Sequence, residues 1–386
     1  MRGLSNFKSG FQRFNEPRRP DRRSAPRLAA CYQPGSGFTL AGSRTFRPAD
    51  IKDISATGLY LRTDMRPKTG EEITVNLWEA DNFESISDLQ ITLPARVARQ
   101  GEDGIGLSFV LPQSLDKELW DLLLRNVVIL PNHRHAAELF RTLRCVLFLS
   151  RLCPSEADEV MGLLKGRVNP DRTSVLTRIA IGAENLLAEK PDAERMQAHP
   201  KLVNDILRQG SWTAHEPTMR LWMGLLANSC SVNAPDDFNE VFARLLGHFT
   251  PTQTAIFVHG CKRALSFSPI PERALSGSIV LGPREMVNIT GVHDPYRNAT
   301  DLAHLFNLGL IQNVFDFTFF RPADSFDILP SRLGLELYRR CHGCQDPVAP
   351  TLVEVANAHL AHFAPAPRSA DSDWSPESSL AASADS

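Results

Sequence analysis

The period at which apolar residues recur changes once along this chain. Between about 36 and 112 apolar and β-branched residues alternate in short runs, and from about 132 onward they recur at i, i+3, i+4 and i+7. A period of two lines one face of a strand and a period near 3.6 lines one face of a helix, so no single layer type satisfies both halves. The strands are expected at 38–40, 45–54, 58–63, 72–79, 89–99 and 105–111, separated by Gly, Pro, Asp and Asn. Six short strands with no helix between them predict a small antiparallel β-barrel. Pro94, inside the fifth run, suits an edge, a bulge or a barrel corner. A helix over 115–128 follows, with Leu119, Trp120, Leu122 and Leu123 as its packing face, lying on the barrel or bridging to the next part.

The second half predicts helices over 136–152, 156–164, 172–188, 201–208, 217–229, 236–246 and 250–265. Ser155 and Thr250 stand at N-cap positions, the latter followed by Pro251 at the first helical position. Near the end, a helix over 301–311 is stopped by Gly309, an alternating run follows at 314–320, and a further element covers 328–338. This order of helix, strand pair and helix resembles a winged-helix arrangement, a unit used for DNA binding and for protein docking. Residues 282–345 carry a net charge of −1, whereas a phosphate-tracking surface needs a local positive excess. A protein partner is therefore expected here and DNA is not.

Two stretches carry the chemistry. Arg23 and Arg27 are four apart around Pro26, which excludes a helix interior and favours a loop able to close over a ligand. A guanidinium fork suits phosphate oxygens and also the O6/N7 edge of guanine, where a bidentate contact contributes roughly 1–3 kcal/mol of discrimination. In Asp53-Ile54-Ser55-Ala56-Thr57-Gly58 the carboxylate of Asp53 can accept from guanine N1–H and N2–H, Ser55 can donate or accept, and Gly58 permits close backbone approach. Together the two stretches are complementary to an anionic, guanine-bearing ligand.

Arg23-x-x-x-Arg27, Asp53-x-Ser55-x-x-Gly58, the strand-like run 59–62 and Gly104-Ile105-Gly106-Leu107-Ser108-Phe109 resemble the PilZ domain family over roughly 18–125. That resemblance implies a small β-barrel receptor for cyclic di-GMP. Arg23 and Arg27 would wrap the phosphates and guanines, and Asp53, Ser55 and Gly58 would face the base and the sugar-phosphate ring. Arg22 matches a position that governs whether one ligand or a stacked pair is bound, and an arginine there leans toward the pair. In the helical half, 219–228 with its Trp222, then 238–246 and Phe249-Thr250-Pro251-Thr252-Gln253-Thr254-Ala255, resembles the Abi-alpha-like helical family over about 170–345. It implies a link to phage defence and brings no catalytic residue.

The remaining features bound the reading. Residues 1–28 carry a local +6 and 364–386 a local −3, both poor in aliphatic residues, so both tails are expected to be disordered without a partner. Seven cysteines, an odd number, do not describe a disulfide framework and fit a reducing cytoplasm. No run approaches the ~20 apolar residues a spanning helix needs, and the most apolar stretch, 145–152, reads as a buried helix. Cys341 and Cys344 have the spacing of half a zinc site without a second half, and His133 and His135 have no carboxylate or thiol partner nearby, so no metal is expected. No carboxylate pair and no Ser/His/Asp set stands out, so an enzyme is not expected.

The expected molecule is multidomain: a basic tail (1–17), a PilZ-like cyclic di-GMP-binding β-barrel domain (18–130), a helical domain (131–280), a winged-helix-like part (281–363) and an acidic tail (364–386). It would act as a cytoplasmic receptor and effector with no cofactor besides its ligand. The alternative is a phage-defence effector, or a docking or transcriptional protein, with a barrel that has lost its ligand.

Overall fold

The computed structural model describes residues 28–34, 47–79, 90–129, 133–154, 160, 162–164, 170–190, 192–232, 239–267, 279–312 and 325–342. All the described residues belong to one compact unit. The expected strand at 38–40, the helix at 156–164 for most of its length, the run at 314–320 and both tails lie outside the described residues.

Strands β1 (Leu28–Pro34), β2 (Arg47–Ser55), β3 (Gly58–Arg62), β4 (Glu72–Glu79), β5 (Ile91–Gln100) and β6 (Gly104–Phe109) form a closed antiparallel barrel in the order β1-β2-β3-β6-β5-β4. Pairing of β1 with β4, from Leu28 opposite Glu79 to Pro34 opposite Ile73, closes the ring and leaves no open edge. The alternation in the sequence is spent as the period of two requires. Ile91, Leu93, Ala95 and Val97 of β5 point inward with Leu59, Leu61, Ile73, Val75, Leu77, Ile105 and Leu107, while Pro94, Arg96 and Ala98 are exposed. Pro94 sits where pairing with β6 runs out: Ala95 opposite Phe109 is the last pair, and Pro94 O accepts from Val110 N–H.

β1 is an element the sequence reading did not place. That reading began the folded unit near 36, whereas the barrel starts at Leu28, directly after Arg27.

Helix α1 (Lys117–Ile129) is capped by Asp116, whose carboxylate accepts from the N–H groups of Glu118 and Leu119. Its buried face is Trp120, Leu123, Leu124 and Val127. Leu122, expected on that face, is exposed instead. Residues four apart from Trp120 and seven from it share its side of the helix, and Leu122 lies a fifth of a turn or more off that stripe.

The helical half comprises α2 (His133–Leu152), α3 (Pro170–Ala188), α4 (Pro200–Gly210), α5 (Glu216–Asn228), α6 (Asn239–Leu246), α7 (Pro251–Phe267), α8 (Pro283–Thr290), α9 (Pro295–Asn307) and α10 (Arg332–Cys341). Cys145, Val146, Phe148, Leu149 and Leu152 of α2 are buried in protein, as their apolar run predicts. A part-buried ion pair, Arg144 to Glu184 at 2.6 Å, ties α2 to α3. Three short strands, β7 (Ile279–Leu281), β8 (Ile311–Gln312) and β9 (Phe326–Pro330), form an antiparallel sheet in the order β7-β9-β8. β9 thus pairs with a strand that precedes both α8 and α9, and the winged-helix arrangement is not established. One hydrophobic core runs from the barrel interior through Trp120 and Leu124 into Phe140, Leu143 and the helices beyond.

Candidate functional site

β2 and β3 are joined by the two-residue turn Ala56-Thr57, so Ser55 and Gly58 face each other across the hairpin mouth. Ser55 Oγ donates to Gly58 O at 3.1 Å and lies 3.4 Å from Thr57 Oγ1. Gly58 is required by the fold itself: a Cβ there would stand 2.1 Å from Leu107 O on β6. The close approach that glycine permits is made by a neighbouring strand.

Both turn carbonyls are engaged. Thr57 O accepts from Phe109 N–H at 2.9 Å, and Ala56 O accepts from the indole N–H of Trp120 at 2.8 Å. Trp120 is only 1% exposed and meets Phe109 edge to face at 6.5 Å. Ser114, just before α1, donates to Ser150 O of α2 at 2.6 Å. The hairpin that carries Asp53, Ser55 and Gly58 is therefore bonded directly to the helix leading into the second half.

A bulge between Ile51 and Asp53 adds a residue to β2, so that Lys52 and Asp53 are both exposed on the outer wall. Their electrostatic states differ. Lys52 Nζ lies 2.8 Å from Asp103 Oδ2, the Tyr60 hydroxyl donates to Asp103 Oδ1 at 2.8 Å, and Arg62 Nε is 3.7 Å from the same carboxylate. The bond from Lys52, then that from Tyr60, hold the Asp103 carboxyl down to about 2, and the bond to Asp103 raises the Tyr60 phenol. Asp53 has no such partner among the described residues, and its carboxylate faces outward.

The six residues singled out in the sequence divide accordingly. Asp53, Ser55 and Gly58 are brought together on one hairpin at the barrel surface. Arg22, Arg23 and Arg27 lie outside the described residues. β1 starts one residue after Arg27 and pairs with β2, the strand of Asp53 and Ser55. Sequence reasoning did not single out Tyr60, Arg99 or Asp103: Tyr60 follows the alternation between Leu59 and Leu61, whereas Arg99 is turned outward by the bulge after Val97 and Asp103 stands in the turn between β5 and β6.

In the helical half the motif around Thr250 is a structural joint. Thr250 Oγ1 accepts from Gln253 N–H and Gln253 Oε1 from Thr250 N–H, a reciprocal cap of α7. Gln253 Nε2 then donates to Asp301 of α9 at 2.8 Å, and Thr254 Oγ1 pairs with Thr218 Oγ1 of α5 at 2.8 Å. Trp222 is buried in the core.

Cys145, Cys153, Cys230, Cys261 and Cys341 are buried, and burial pushes the thiol of Cys230 up to about 12 and that of Cys341 further. Cys344 lies outside the described residues, as do the side chains of His133 and His135 in the first turn of α2. Among the described residues no group of three or more His, Cys, Asp or Glu is placed to hold a metal ion, and no helix is long and apolar enough to cross a membrane.

Comparison with known families separates the two halves in the same way. Residues 21–125 match the PilZ domain model, a span that includes the arginine motif, the whole barrel and most of α1. Residues 173–330 match the model named abortive infection alpha, from α3 through β9. No curated protein and no solved structure matches the chain. The chain thus joins a segment that matches the PilZ domain, residues 21–125, to a segment that matches abortive infection alpha, residues 173–330.

Proposed function

We propose that this protein is a cyclic di-GMP receptor whose helical half is the output. The observation that carries the reading is the carboxylate of Asp53, without a side-chain partner among the described residues, on a hairpin exposed to solvent on one side and bonded to Trp120 on the other. Arg23 and Arg27 supply phosphate and guanine contacts, Asp53 and Ser55 accept and donate to the base and ribose side, and Arg22 favours a stacked pair of ligands. The segment around 18–27 closes over the ligand, and its ordering entropy is offset by charge-assisted hydrogen bonds. Trp120 and α1 pass the change at the hairpin to α2, and the helices recruit a protein partner. No catalytic step is assigned, and the site of action is the cytoplasm.

Calorimetric titration of cyclic di-GMP into the intact protein and into Arg23→Ala/Arg27→Ala tests this. Micromolar or tighter binding that the double substitution abolishes is expected. A folded wild-type protein that gives no heat refutes the receptor reading.

A second reading is supported by the abortive infection alpha match over 173–330. In it the helical half is a phage-defence effector and the barrel is either its ligand sensor or a docking unit. Phage plating on cells expressing the full chain separates this from a signalling role unrelated to phage.

A further inference from the structure

One row of residues crosses the outer barrel wall over four strands. Asp53 of β2 is opposite Tyr60 of β3, Tyr60 is opposite Gly106 of β6, and Gly106 is opposite Arg99 of β5. A bulge lies at each end of the row, between Ile51 and Asp53 and between Val97 and Arg99. Bulges re-aim side chains, and here they mark the two polar ends of the row.

The floor between those ends is kept low by glycine. A Cβ on Gly106 would meet Arg99 Cγ at 2.8 Å and Nε at 3.0 Å, and one on Gly101 would meet the Tyr60 hydroxyl at 2.1 Å. Both side chains therefore lie along the wall. Arg99 Cζ stands 5.7 Å from the centre of the Tyr60 ring, and Lys52 Nζ stands 5.1 Å from it.

Arg99 differs from Lys52, Arg62, Arg66 and Arg96, four other cations of this barrel. Lys52 and Arg62 are turned to Asp103, Arg66 donates to the backbone oxygen of Glu102, and Arg96 is paired with Glu72 at 2.7 Å. Arg99 is exposed, is positioned by Tyr60 and Gly106, and has no acceptor among the described residues. It presents a planar cation, held in place, with its donors unused. Three strand spacings of about 4.8 Å each lie between Asp53 and Arg99, so the row suits an elongated ligand with two bases better than a single nucleoside.

We propose that Arg99, backed by Tyr60, stacks on the second purine of a dinucleotide ligand whose first base is held at Asp53. The inference rests on the nucleotide reading of the hairpin and extends it to a residue outside both sequence motifs. Lysine would keep the charge at this position but has no plane to stack.

The test is calorimetric titration of cyclic di-GMP into the full chain as wild type, Arg99→Ala and Arg99→Lys, with thermal midpoints measured alongside. Arg99→Ala is expected to weaken binding roughly tenfold or more with an unchanged midpoint, and Arg99→Lys to recover little of the loss. Wild-type affinity in Arg99→Ala overturns the proposal while leaving the receptor reading intact. Full recovery in Arg99→Lys overturns it too, by reducing the effect to charge. Absence of binding by the wild type removes the receptor reading, and this proposal falls with it.

Discussion

Asp53 and Gly58 belong to one motif but answer to different forces. Asp53 is exposed and bears no fold contact among the described residues, so Asp53→Ala is expected to shift stability by no more than about 0.5 kcal/mol while lowering ligand affinity severalfold. Gly58→Ala drives a methyl group against Leu107 O, and backbone cannot step aside as a flexible side chain would. A loss of about 1–3 kcal/mol is expected. Urea unfolding beside ligand titration checks both, and a stable Gly58→Ala barrel that fails to bind would reverse this assignment. Asp103 offers a pH probe. Its carboxyl is depressed from an ordinary value of 3.8 to about 2, so its contribution is present above the ordinary value and is lost as pH falls through about 2. The stability difference between wild type and Asp103→Asn should therefore be flat from neutral pH down to about 4 and shrink below it; acid titration of both proteins reads this directly. Asp53 and Ser55 could be named as candidates from the sequence because donor and acceptor types are written there, and the structure sets them on one hairpin. Tyr60, Arg99 and Asp103 could not, since the register that joins them is set by two bulges and by strand pairings far apart in the chain.

At the scale of elements, α1 is the joint. Its indole N–H satisfies Ala56 O, and Trp120→Phe keeps a ring against Phe109 while leaving that carbonyl without its donor. The expected cost is about 1–3 kcal/mol. With saturating cyclic di-GMP, hydrogen exchange in Trp120→Phe should still slow at 53–60 but lose most of the slowing over 133–152 seen in the wild type. Equal slowing of 133–152 in both proteins would rule Trp120 out as the link. Periodicity located α1 through α7 to within a few residues, because each carries a buried stripe long enough to read. It missed β1, whose Leu28-Ala29-Ala30-Cys31 start has small side chains and little β-branching. It also missed α8 and began α9 late, although Pro283 and the Asp294 cap before Pro295 were available as start signals. Those first turns are mostly polar, so the apolar pattern begins after the helix does.

For the whole molecule, the change of period correctly separates a barrel from a helical region, and it conceals that one core serves both. Trp120, Leu123, Leu124 and Val127 are buried on a helix between the two, so the apolar surface is continuous from Leu107 to Phe140. Such continuity arises in three dimensions and leaves no mark in a window of sequence. It also decides how the motif would age in a lineage that gave up its ligand. The turn carbonyls of Ala56 and Thr57 and the bare Cα of Gly58 serve packing within the molecule, so they should survive that loss, whereas Asp53 and the arginines would drift. A surviving glycine in a distant descendant would then testify to ancestry alone, and the acid and the arginines would be the residues that report whether the messenger is still heard.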